Sequence, residues 1–215
     1  MRYLDRRSAG RTLAEHLSTY AGPDTLVVAL PRGGVPVAFE VARALALPLG
    51  LLVVRKLGAP GNPELAVGAI AEGGTTVIDG SLARRTGMTP ALLDETIARE
   101  SRELERRVAL YRAGRPPLAA AGRTVILVDD GVATGLTDLV AVRALRAAGA
   151  ARVVVAVPVG AGDSLDALAA EADDVVCPLV PDALYGVGRW YRDFAPTSDE
   201  EVLALLGRRN TDNDN

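Results

Sequence analysis

Residues 125–138, VILVDDGVATGLTD, hold the densest group of side chains able to do chemistry. Four aliphatic residues, Val125 to Val128, run directly into two adjacent carboxylates, Asp129 and Asp130. Ionised carboxylates only accept hydrogen bonds, so such a pair suits the neighbouring hydroxyls of a sugar, or a hard cation such as Mg²⁺. The amides of Ala133, Thr134, Gly135, Leu136 and Thr137 open the helix that follows. A helix N-terminus offers unpaired donors and a favourable dipole to a phosphate. Thr134 and Thr137 add hydroxyl donors, and Gly135 permits a tight turn. The loop thus offers a clasp for a diol at one end and a cradle for a phosphate at the other, as a ribose 5-phosphate requires.

Other chemistries fit the pattern less well. An apolar strand ending in acids also occurs in P-loop nucleotide hydrolases, but the chain has no GxxxxGK[ST]. Gly131 and Gly135 do not supply the GxGxxG of a dinucleotide site. A receiver-type acidic pocket places its paired acids near the start of the domain. Simple helix capping needs one acid, not two followed by a loop of small residues.

Composition narrows the classes further. The chain has 215 residues and one cysteine, Cys177, so an internal disulfide and a thiolate zinc cluster are both ruled out. One histidine, His16, cannot build a histidine-rich metal site, and its place on a terminal helix suggests a structural role. A net charge of -3 gives no nucleic-acid footprint. The N-terminus lacks the apolar core of a signal peptide, and no apolar run is long enough to span a bilayer. These features lead us to expect a cytoplasmic protein with no nucleic-acid or membrane partner.

The rest of the chain must position the loop. Apolar runs at 25–30, 49–56, 123–128, 152–157 and 174–177 read as strands, alternating with helices at 35–47, 137–148 and 163–171. An N-terminal helix over 5–20 presents Leu13, Leu17 and Tyr20 on one face. Residues 57–64, rich in Gly and Pro, read as a loop, and 65–79 as a hairpin turning at Glu72-Gly73-Gly74. Thr89 and Pro90 open a long helix over 89–113, with i,i+4 pairs Glu95/Arg99 and Glu103/Arg107 and a buried stripe of Leu93, Ile97, Leu104, Val108 and Tyr111. Its arginines read as a solvated face. Pro116-Pro117 separates that helix from the next strand, a capped helix starts near Ser198, and the polar end RRNTDNDN reads as frayed. Alternating strands and helices predict an α/β fold with a parallel sheet core flanked by helices, one domain over 1–215. Ligands bind such sheets beyond the carboxyl ends of the strands. Pro31 to Gly34, Arg55-Lys56 and Asp129 to Thr137 all fall there.

With these residues in view, VILVDDGVATGLT resembles the PRPP (5-phosphoribosyl 1-pyrophosphate) motif of type I phosphoribosyltransferases. LPRGGVPVA resembles the family's pyrophosphate loop, VVRKLGAPGNPELA its Arg-Lys followed by a mobile loop, and VGRWYRDF the C-terminal hood of 6-oxopurine enzymes. The resemblance covers roughly residues 25 to 195 and makes the long helix an insertion and about 178–196 a small hood. Two positions depart from the pattern. Leu136 stands where glycine is common, and Ala133 where 6-oxopurine enzymes carry an aspartate near the purine.

The resemblance implies transfer of the 5-phosphoribosyl group from PRPP to a nitrogenous base, dependent on Mg²⁺, with release of pyrophosphate, as in nucleotide salvage. It implies that Arg32 and the Gly33 and Gly34 amides contact pyrophosphate and that Lys56 or Arg55 adds positive charge there. Asp129 and Asp130 would grip the ribose hydroxyls, directly or through Mg²⁺, and residues 57–64 would close as a lid. Trp190 and Tyr191 are the candidates for stacking on the base, or are core. Arg192 and Asp193 are hood contacts or an exposed ion pair, and Cys177 a small buried hydrophobe. A homodimer is common among similar proteins. The rival expectation is a regulatory module that senses PRPP without turnover, against which Arg32 and Lys56 speak. The acceptor base stays open.

Overall fold

A computed structural model describes residues 2–112 and 119–212 of the chain. Its strands are β1 (Thr25–Ala29), β2 (Leu49–Leu51), β3 (Val54–Ala59), β4 (Asn62–Ala71), β5 (Thr76–Ile78), β6 (Thr124–Val128), β7 (Arg152–Ala156) and β8 (Asp174–Val176). Its helices are α1 (Arg6–Glu15), α2 (Gly34–Ala44), α3 (Gly80–Arg85), α4 (Pro90–Arg112), α5 (Leu136–Ala147), α6 (Gly162–Ala169) and α7 (Asp199–Asp212). The main sheet runs β2-β1-β6-β7-β8 with every pairing parallel. The expected α/β architecture, a parallel sheet flanked by helices, is what forms.

The side-chain period of two divides each central strand between two cores. Val27, Ala29, Ile126, Val128, Val154 and Ala156 pack with Leu13 and Leu17 of the N-terminal segment and with α2, α4 and α7. Val28, Val125, Leu127, Val153 and Val155 pack with α5 and α6 on the opposite face. Burial on both faces explains why these strands read as unbroken aliphatic runs. In register, Ala29 pairs with Val128, and the amide of Leu30 donates to Val128 O at 2.9 Å. The chain therefore leaves β1 and β6 side by side, which puts the loop from Pro31 against the paired acids.

Helix α1 is fixed at its start by a reciprocal cap in which Ser8 N donates to Asp5 Oδ1 and Asp5 N donates to Ser8 Oγ. It lies close on α2, because a Cβ added at Gly10 would sit 2.5 Å from Val37 O. Gly10→Ala should push the two helices apart and cost about 1–3 kcal/mol, as overpacking does. Urea unfolding checks this, and an unchanged midpoint would show that the approach is not tight.

Four local expectations are corrected. The strand expected over 49–56 is two strands in different sheets. Leu52 N still donates to Ala29 O in the main sheet, whereas Val53 O accepts from Glu72 N beside β4. Both sheets bury apolar side chains, so hydropathy carries no mark of the switch. Residues 57–64 are not a free loop but the turn of a bulged antiparallel pair, β3–β4, with Gly61 at φ 72. A Cβ at Gly58 would meet Pro63 O at 2.6 Å, so this glycine serves strand approach. The hairpin expected between 65 and 79 forms as β4–β5. In α4 the stripe residues pack on the core and Arg107 reaches Glu103 at 2.8 Å, but Arg99 turns to Glu100 instead of Glu95. Helix α7 continues to Asp212, into the expected frayed end. Ala113, Pro116-Pro117 and residues 213–215 lie outside the described residues.

Candidate active site

The loops after β1 and β6, β3, α4 and the C-terminal segment enclose a cavity of about 650 Å³. Arg32, Gly33, Arg55, Lys56, Asp129, Asp130, Ala133, Thr134, Gly135 and Thr137 all line it. Of the expected phosphate and sugar residues, Gly34 and Leu136 do not. Gly34 is packed beneath the acids, where a Cβ would lie 2.7 Å from Val128 O and 2.9 Å from Asp129 Cα. Among the described residues, the amides of Ala133 to Thr137 find no backbone acceptor. Gly135 caps α5 in the left-handed region at φ 73, a conformation glycine adopts without penalty. The donors of the loop are thus left for a ligand.

The acids are held asymmetrically. Asp129 Oδ1 accepts from the Asp130 amide at 2.8 Å, and Asp130 Oδ2 accepts from Arg6 Nε at 2.8 Å. Burial raises the pKa of Asp129 well above the ordinary carboxylate range, and the charges of Asp130 and Asp138 add to this. Burial also raises Asp130, against the pull of Arg6 and Lys56. Ionising both acids here is therefore unfavourable unless a sugar hydroxyl or a cation stabilises the charge. Among the described residues no cluster of three or more His, Cys, Asp or Glu could hold a metal by itself. Two carboxylates fit Mg²⁺ that arrives on phosphate oxygens and keeps several waters.

Opposite the acids stand the cations. Arg32 is 40% exposed and lies 3.7 Å from Asp199. Arg55 is tied to Glu100 at 2.7 Å, whereas Lys56 has no ion pair among the described residues. The Pro31-Arg32 peptide is cis.

Trp190, Tyr191, Arg192 and Asp193 are not on the wall of this cavity, and of the two expectations for Tyr191 it takes the core one. Tyr191 is 4% exposed, packs on Tyr3 and Phe194, and donates its hydroxyl to Asp130 O at 2.6 Å. Trp190 Nε1 donates to Leu184 O at 3.2 Å. Arg192 and Asp193 are exposed, and their amides join the N-terminal segment through Tyr3 O and Leu4 O. The hood wall is formed instead by Val187 and Phe194. Cys177 is half-buried, its Sγ 3.3 Å from Leu179 O, and burial pushes its pKa up to about 11.

Sequence reasoning missed five further contributors. Arg6 is 124 positions from its partner, and its guanidinium also lies 3.8 Å from the Phe194 ring centroid. Arg99 and Arg107, expected on a solvated face, line the cavity with Glu100. Asp138 adjoined the motif and was legible there; it is 2% exposed, and its Oδ1 has no hydrogen-bond partner.

Comparison with known proteins agrees with this geometry. A family model described as phosphoribosyl transferase domain matches residues 4–187. The Mycobacterium tuberculosis (strain ATCC 25618 / H37Rv) protein named "Putative phosphoribosyl transferase Rv0571c" is 47% identical over 208 residues. Its counterpart in strain CDC 1551 / Oshkosh matches equally. These alignments cover 97% of this chain but 47% of each relative, so the chain spans about half the length of the curated relatives it matches. The crystal structure of TT1426 from Thermus thermophilus superposes with a TM-score of 0.80 at 45% identity, covering 96% of this chain and 98% of that one. No helix among the described residues is long and apolar enough to cross a membrane.

Proposed function

Because the chain belongs to the phosphoribosyl transferase family, we propose that it transfers the 5-phosphoribosyl group of PRPP to a nitrogenous base and releases pyrophosphate, with Mg²⁺. One observation carries this: the two acids, the loop residues Ala133, Thr134, Gly135 and Thr137 and the Arg32-Gly33 turn all meet at one cavity. The 5-phosphate takes the amides and the Thr134 and Thr137 hydroxyls. The ribose hydroxyls take Asp129 and Asp130. Pyrophosphate lies toward Arg32, the Gly33 amide and Lys56.

The acceptor nitrogen bonds to C1 as the C1–O bond to pyrophosphate breaks, and positive charge develops on the sugar ring. Carboxylates below the ring favour that charge, while Arg32 and Lys56 favour the departing anion. Binding at two ends holds C1 in reach of the nucleophile. Asp129 and Asp130 would hold Mg²⁺, which would supply further charge neutralisation. The acceptor enters beside Val187 and Phe194, where Ala133 offers no acid for a purine nitrogen. A cytoplasmic setting and a place in nucleotide salvage go with this activity.

The test is incubation with Mg²⁺-PRPP and a panel of purines, pyrimidines and nicotinate-like acceptors, reading pyrophosphate release. Release that depends on one acceptor is the expected result. Tight PRPP binding without release from any acceptor would replace the enzyme with a PRPP sensor.

A further inference from the structure

The buried acid next to the phosphate cradle has no role in the chemistry above. Asp138 occupies the first turn of α5, lines the cavity and is 2% exposed. Its Oδ1 has no partner, and its Oδ2 lies 3.4 Å from the hydroxyl of Thr137, which donates toward it. An ionised carboxylate here is unfavourable twice over. Its Oδ1 lacks a partner inside the protein, and it faces the place assigned to a phosphate dianion. It also turns the Thr137 proton away from that phosphate.

We propose that Asp138 is a positioning residue that admits the phosphate only in its neutral form, so that PRPP binding takes up one proton from solvent. The neutral carboxyl donates to Thr137 Oγ1, and the Thr137 hydroxyl, keeping its proton, turns its hydrogen bond to the phosphate. No other bond changes. The inference rests on the phosphoribosyl reading and adds to it a proton linkage.

The surroundings support this direction. Burial raises the Asp138 pKa to about 7, its own amide and Thr137 oppose the shift, and Asp130 adds to it. Lys56 on β3 pulls it down, while Arg55 on the same strand is tied to Glu100. Asp129 and Asp130 face it from the end of β6. Strand β5 carries no ionisable residue, β4 only Glu64, and the one on β7, Arg152, is paired with Asp174. An incoming phosphate raises the pKa in the complex above its value in the free protein. Affinity is therefore full below about pH 7. It falls as pH rises, by up to about tenfold per unit, until the pKa of the complex is passed.

Calorimetric titration of the wild-type chain with Mg²⁺-PRPP at pH 8, in buffers of different ionisation enthalpy, counts the protons. Uptake of about one proton per PRPP is expected. Asp138→Asn fixes the neutral state, and should remove both the uptake and the pH dependence between pH 7 and 9. Binding without proton uptake in the wild type would overturn the proposal, and that measurement stands even where the variant fails to fold. Absence of any PRPP binding would instead overturn the phosphoribosyl reading beneath it.

Discussion

Asp130→Asn is expected to weaken PRPP binding about a hundredfold, close to 2.7 kcal/mol. The variant keeps the shape of the side chain and leaves the carbonyl that accepts from Tyr191 untouched. What it removes is charge. Hydrogen bonds from a sugar hydroxyl to an ionised acceptor contribute about 1.5–3 kcal/mol each, roughly twice a neutral one. The Arg6 guanidinium, 11% exposed, would also lose its anionic partner. That loss is offset in part because Asp129 no longer faces a like charge at close range. The melting temperature should therefore move by only a few degrees while affinity collapses. Calorimetry with Mg²⁺-PRPP beside a thermal melt separates the two, and unchanged affinity would take Asp130 out of the site.

Gly33→Ala should produce a loss of similar size by a different route. Gly33 has φ -60 and ψ -35, an ordinary helical conformation, so alanine meets no backbone penalty there. Its Cβ, however, would lie 2.0 Å from Asp130 Oδ2 and 2.7 Å from Asp130 Cγ. The carboxylate or the whole turn must move by an ångström or more. A displacement of that size near the reacting atoms costs about a hundredfold in rate. The expected result is a drop in kcat/KM of about that size, with little change in melting temperature, because the clash falls on a side chain at the cavity rim. At Gly34 the added Cβ would press on Val128 O and Asp129 Cα. That backbone cannot turn aside, so Gly34→Ala should lower stability instead. Full activity in Gly33→Ala would show that the turn does not fix the acid.

Much of this architecture was legible before any coordinates. Runs such as Val125 to Val128 could only be strands buried on both faces, and the free donors before α5 follow from the geometry of any helix start. The β3–β4 pairing was not legible, since Gly58, Pro60, Gly61 and Pro63 have the composition of a loop and only the approach of Gly58 to Pro63 reveals a hairpin. The two readings of the hood aromatics stayed open for a related reason. An aromatic residue looks the same in sequence whether it faces a ligand or a core, and Tyr191 faces the core.

The sequence by itself determined the central parallel strands, their alternation with helices and the acidic, small-residue loop after Val128, because hydrophobic period and turn chemistry act between near neighbours along the chain. Only the tertiary structure decided which charges meet. Arg6 on Asp130, Glu100 on Arg55 and the isolation of Asp138 depend on how α1, α4 and the C-terminal segment close over the strand ends. Electrostatics and desolvation follow distance and burial in space, and neither is written in the local order of residues.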